Sequence, residues 1–155
     1  MALALRELGA PKDERDALAR ALPAWQPFPE VRGALEETRE RGWKLAILSN
    51  TDRDFIEASM ERIGVPFELA IVASEIGSYK PAHGHWERFF EQVDVPRERH
   101  VHVAQSHLHD VVPAHQLGLQ SVWINRYDER REPPATRELA DLSRLPATLD
   151  ELVPA

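Results

Sequence analysis

A chain of 155 residues with a net charge of −7 and no cysteine is limited in several ways at once. The length fits one domain with a sizeable core, and the negative balance argues against nucleic acid, whose phosphates call for a basic surface. Without cysteine there is no disulfide, thiolate metal site or cysteine nucleophile. The first residues lack the apolar core of a signal peptide, no apolar run is long enough for a membrane span, and a cytoplasmic setting is expected.

Residues 1 to 22 read as helical, with Leu3, Leu5, Leu8, Leu18 and Leu22 as apolar positions, and Pro23, Pro27 and Pro29 mark a connection. From Glu30 the pattern becomes regular. Val31, Ala34, Leu35 and Thr38 form a helical stripe closed near Gly42. Trp43 to Leu48 predicts a buried strand, Asp54 to Ile63 a helix ended by Gly64, and Leu69 to Val72 a second strand. Pro81 predicts the start of a helix with Trp86, Phe89, Phe90 and Val93 inward. His100 to Ala104 reads as a third strand, Asp110 to Leu117 as a helix, and Ser121 to Asn125 as a fourth strand. Tyr127 to Thr136 reads as a charged surface loop, and Leu149 and Leu152 as a short closing helix. Alternation of this kind predicts an α/β fold, a parallel sheet between two layers of helices.

In such a sheet, ligands bind beyond the carboxyl ends of the strands. Four residues fall there. Ser49 and Asn50 offer a hydroxyl and an amide that can hold an anion without adding charge; taken alone, Ser49-Asn50-Thr51-Asp52 also suits a turn that caps the next helix. Lys80, before Pro81, can neutralise developing negative charge at a strand-to-helix corner, or can be a solvated surface lysine. Asp110 can position Lys80, or can be an acid at a helix start. The pairs His83/His85, His100/His102 and His107/His109 have metal-ligand character by type, but no coordinating set emerges from their spacing.

Three motifs in order then carry a resemblance. Pro27-Phe28-Pro29-Glu30-Val31, Lys44 to Asn50 and Tyr79-Lys80-Pro81, supported by Val122 to Arg126, resemble the haloacid dehalogenase-like hydrolase superfamily, in particular its 2-haloacid dehalogenase branch. The similarity runs from about Ala24 to Val153. It implies a Rossmann-like three-layer core at 28–155 and a remnant of a helical cap at 1–27. It implies hydrolysis through an aspartyl ester, with Ser49 and Asn50 binding substrate and Lys80 and Asp110 in catalytic roles. The implied partner is a small anionic substrate, with neither nucleic acid nor membrane, and the resemblance leaves a homodimer open.

The departures shape the expectations further. No aspartate follows an apolar strand upstream of Ser49, and Asp13 and Asp16 lie in a polar helical stretch. The chain as given is therefore expected to be inactive, and its sheet either to be broken between the strands that end at Ser49 and Ala104 or to have closed there by a local collapse. Gln105 stands where the family's phosphatases carry a metal-binding aspartate, so no metal is expected and magnesium is disfavoured. Trp86, Gln105 and His107 also differ from the residues of dehalogenases. The alternatives to a dehalogenase are a small-molecule phosphatase of the same superfamily and a non-catalytic binding or partner protein.

Overall fold

The fold is taken from a computed structural model, which describes Ala21 and residues 24–154. The helical reading of residues 1–22 lies, but for Ala21, outside the described residues. The order is α1 (Val31–Glu40), β1 (Ala46–Ser49), α2 (Arg53–Ile63), β2 (Leu69–Val72), α3 (Ala73–Ile76), α4 (Gly84–Gln92), β3 (Val101–Ala104), α5 (Val112–Gln116), β4 (Gln120–Ile124), β5 (Arg137–Leu139) and α6 (Leu145–Leu152). A short 3-10 turn, Arg97–Arg99, precedes β3, and a π-helical turn, His107–Val111, follows it.

All strand pairs are parallel. β1 pairs β2 from Ala46↔Leu69 to Ser49↔Val72. β3 pairs β4 from Val101↔Gln120 to Ala104↔Trp123, and β4 pairs β5 from Val122↔Arg137 to Ile124↔Leu139. Among the described residues these form two separate sheets, β1-β2 and β3-β4-β5, so the expected break between β1 and β3 is present.

Alternation along the strands builds two cores. On one face Val122 and Ile124 pack with Leu145 and Leu149 of α6, joined by Trp43, Val101, Val103 and Leu139. On the other, Trp86 of α4 packs with Ala114 of α5 and with Leu119, joined by Leu48 and Phe90. Helices thus cover both faces, as the alternating pattern predicts. Both clusters span the break: Trp43 comes from the β1 side and Val101 from β3, and Leu48 of β1 packs against the cluster that Trp86 forms with Ala114 and Leu119. Trp86 is 1% exposed, and burying a side chain of that size contributes about 3 kcal/mol to keeping the two parts together. α1 is tied to α6 by Asp150, which accepts from Trp43 Nε1 at 3.0 Å and pairs with Arg41 at 2.7 Å.

Several boundaries differ from the sequence reading. β1 begins at Ala46 rather than at Trp43 and runs on to Ser49; just before it, the Leu45 N–H is taken by the Glu68 carboxylate at 2.7 Å. The helix expected from Pro81 begins at Gly84, the intervening residues forming a turn. The helix expected from Asp110 is a π-helical turn running into α5. β5 was not foreseen. Arg137-Glu138-Leu139 has no apolar alternation, and it becomes a strand by adding to the free edge of β4.

Candidate active site

The fold carries Ser49, Asn50, Lys80 and Asp110 to one place. Ser49 closes β1 and Asn50 follows it, Lys80 lies between α3 and α4, and Asp110 sits in the π-helical turn after β3. The Lys80 Nζ donates to Asp110 Oδ1 at 2.5 Å and to the Leu48 carbonyl at 2.8 Å. The Lys80 and Asp110 side chains are only 10% and 7% exposed, so the ion pair is buried. Its second bond has a specific meaning for the sheet. Glu68 N donates to the Leu45 carbonyl, which places that carbonyl on the β2 side of β1. Carbonyls alternate along a strand, so that of Leu48 points the other way, to the edge that no described strand pairs with. Lys80 therefore satisfies an edge carbonyl of β1 while binding the acid that follows β3, and it joins the two sheets.

The Lys80 main chain is fixed as well. Asn50 Nδ2 donates to the Lys80 carbonyl at 2.9 Å, and Lys80 N donates to Asn50 Oδ1 at 2.6 Å. This two-point clamp replaces the cap expected of Asn50 in its turn reading: α2 begins after Asp52, and no side chain caps it. One Nδ2 hydrogen and one Oδ1 lone pair of Asn50 remain for a ligand.

Asp110 receives a further donor. Trp86 Nε1 lies 3.3 Å from His102 Nδ1, and an indole nitrogen can only donate. His102 Nδ1 is therefore unprotonated, and the ring proton sits on Nε2, which donates to Asp110 Oδ1 at 2.9 Å. Burial pushes the Asp110 carboxyl up, and the His102 hydrogen bond together with the Lys80 charge outweighs it, leaving the carboxyl below the usual range. An acid so held is a poor proton acceptor and a good counter-ion. His85, wholly buried at the start of α4, donates from Nε2 to the Ser49 carbonyl at 3.0 Å, and burial lowers its pKa.

Besides Asn50, three groups remain available at this edge. An ammonium has three hydrogens and Lys80 uses two of them on described residues. The Ser49 hydroxyl makes no hydrogen bond to a described residue, and no described residue donates to Asp110 Oδ2. The site can thus offer an N–H and an O–H to an anion beside a buried, charge-balanced pair. Gln105 lies apart from these bonds; its side chain is exposed and its carbonyl accepts from Trp123 Nε1 at 2.9 Å. Among the described residues no group of three or more His, Asp or Glu is placed to hold a metal ion.

Comparison with known proteins places this arrangement in a family. The model described as haloacid dehalogenase-like hydrolase matches residues 13–124. Haloacetate dehalogenase H-2 of Moraxella sp. (strain B) is 41% identical over 104 residues, 66% of this chain and 46% of that protein. (S)-2-haloacid dehalogenase 2 of Pseudomonas sp. (strain CBS-3) is 31% identical over 145 residues, 90% of this chain and 62% of that protein. The structure of L-2-haloacid dehalogenase from Xanthobacter autotrophicus superposes with a TM-score of 0.82 at 20% identity, covering 96% of this chain and 71% of that one. The chain belongs to the haloacid dehalogenase-like hydrolase family. It spans about half to three fifths of the length of the two dehalogenases it matches.

Sequence reasoning placed all four site residues at the sheet edge, and the structure brings them together. It missed His102 and Trp86. His102 was weighed with His100 as a metal-ligand pair, and the two rings do share a face, 6.2 Å apart. The available signal was the period of β3, which points His102 toward the face where Trp86 was expected.

Proposed function

We propose that this chain carries the binding and charge-balancing part of a hydrolase site for small 2-haloacids, working through an aspartyl ester. The observation that carries the reading is the Lys80 ammonium, fixed by Asp110 and the Leu48 carbonyl, with one N–H unused by described residues at the end of the strand that Ser49 closes. In this reading the substrate carboxylate is bound by Ser49, and Asn50 Nδ2 supports the substrate or the departing halide. An aspartate carboxylate attacks the halogen-bearing carbon, the carbon–halogen bond breaks, and halide leaves as the ester forms. Water then attacks the ester carbonyl and the carbonyl–oxygen bond breaks, giving the 2-hydroxy acid, returning the carboxylate and releasing one proton to solvent. Lys80 offsets the negative charge that gathers on nucleophile and substrate, and Asp110 holds Lys80 in place.

Among the described residues, the carboxylate bound at this site is that of Asp110, which is committed to Lys80 and His102. The attacking aspartate belongs, in this reading, to a strand between β1 and β3, where the Leu48 carbonyl faces. Residues 1–27 are then the end of a cap. The names of the relatives support a haloacid, and the neutral side chain of Gln105 weighs against a magnesium-dependent phosphatase.

The test is halide release from 2-chloropropionate and phosphate release from small phosphoesters, each with and without magnesium. It is run on the 155-residue chain and on a form extended at its N-terminus by a family strand bearing the aspartate. Halide release by the extended form alone, lost in Lys80→Ala, is the expected result. Magnesium-dependent phosphate release would favour the phosphatase.

A further inference from the structure

The geometry points to His102 as a positioning residue of this site: held as its Nε2–H tautomer by the Trp86 indole, it fixes the Asp110 carboxylate, and through it the Lys80 ammonium. Four hydrogen bonds in series carry the inference. Trp86 Nε1 donates to His102 Nδ1 at 3.3 Å, His102 Nε2 donates to Asp110 Oδ1 at 2.9 Å, Lys80 Nζ donates to the same oxygen at 2.5 Å, and Lys80 Nζ also reaches the Leu48 carbonyl at 2.8 Å. Each member is buried or nearly so: Trp86 is 1% exposed, His102 7% and Asp110 5%.

The direction of the series follows from what each group can do. An indole nitrogen has no lone pair to offer, so it fixes which imidazole nitrogen is bare. With Nδ1 bare and Nε2 protonated, His102 presents a donor to the carboxylate; the other tautomer would present a lone pair to it and repel it. A carboxylate held by Lys80 alone can turn about its Cβ–Cγ bond. The His102 bond on the same oxygen removes that freedom and leaves Oδ2 turned from both donors. The rings agree with this arrangement, since Trp86 and His102 lie 5.0 Å apart at 56°. His102 comes from β3 and Trp86 from α4, while Leu48 belongs to β1, so the series spans the break in the sheet. The catalytic consequence rests on the hydrolase reading; the positioning itself does not.

The chain has only three lysines, Lys12, Lys44 and Lys80, which gives the test an internal standard. The 155-residue chain is acetylated with a small amine reagent, and the rate at Lys80 is read by mass spectrometry against that of exposed Lys44. In His102→Leu the Lys80/Lys44 ratio is expected to rise about tenfold, because a hydrogen bond to a charged group is lost. His102→Gln places an N–H near the position of Nε2 and is expected to restore most of the protection. In Trp86→Phe, nitrogen-15 spectra should show His102 losing its single tautomer while the ratio rises less. A ratio unchanged in both His102→Leu and Trp86→Phe would overturn the proposal. So would a rise in His102→Leu that glutamine fails to reverse, since His102 would then be only filling space. If His102→Leu does not fold, the tautomer and ratio of Trp86→Phe decide the matter. None of these readouts needs turnover, so failure of the hydrolase reading and failure of this proposal give different results.

Discussion

At the scale of single residues, the account turns on charges that are buried but paired. Replacing one member of such a pair strands the other, at a cost of about 3–5 kcal/mol. Asp110→Ala leaves the Lys80 ammonium with the Leu48 carbonyl alone, and a loss of that size is expected in urea unfolding. Lys80→Met leaves Asp110 with the His102 donor, fills similar space, and should cost less. His100 sets the acid limit of stability. Its pKa falls from 6.5 to about 4, because burial beside Phe89 and Phe90 disfavours the charged ring. The unfolded chain takes up this proton near pH 6.5 while the folded chain resists until about 4, so stability should fall across that interval, by about 3 kcal/mol in total. Asp110 acts lower down: its contribution is complete above the ordinary carboxylate range and is lost only as pH drops through its depressed folded value. His100→Phe should flatten the stability profile between pH 6.5 and 4 and leave the lower limb in place. The positions of Ser49, Lys80 and Asp110 were legible because each follows an apolar run, and strand ends in an open sheet converge. The hydrogen bonds they make were not. Asn50 and Lys80, taken alone, suit a cap and a surface cation, and only the approach of two loops distant in sequence turns them into a clamp.

At the scale of elements, α4 carries more than its length suggests. It places His85 on the Ser49 carbonyl and Trp86 on His102. Its seat is set by Gly84, where a Cβ would stand 2.5 Å from Ser78 Oγ and 2.6 Å from Ser78 Cβ. Gly84→Ala must therefore push α4 off the segment before it, at a cost of about 1–3 kcal/mol by thermal or urea unfolding. Ser78→Gly in the same chain should recover part of that loss. The apolar stripe of α4 was legible, since Trp86 and Phe89 recur at helical spacing and both are buried. The start of the helix was not, because the close approach at Gly84 depends on a residue six positions earlier. β5 and α3 were illegible for a different reason. They are short, and β5 owes its form to the edge of β4 rather than to its own pattern.

For the whole molecule, two parallel sheets stand side by side, held by packed side chains and by Lys80 instead of a ladder between β1 and β3. The break was legible only through the family resemblance, which implies a strand there, set against the lack of an apolar run upstream of Ser49. The way it is bridged was not legible, because it depends on Trp43, Trp86 and Lys80 reaching across in three dimensions. The central claim is that the groups at these strand ends form a site for a small anion. The most direct measurement is a nuclear magnetic resonance titration of the 155-residue chain with 2-chloropropionate, following the Ser49 and Asn50 amides and the Lys80 Nζ resonance. Saturable shifts confined to these groups and their neighbours, and abolished in Lys80→Met, are expected. Shifts that never saturate, or that persist undiminished in Lys80→Met, would contradict the account.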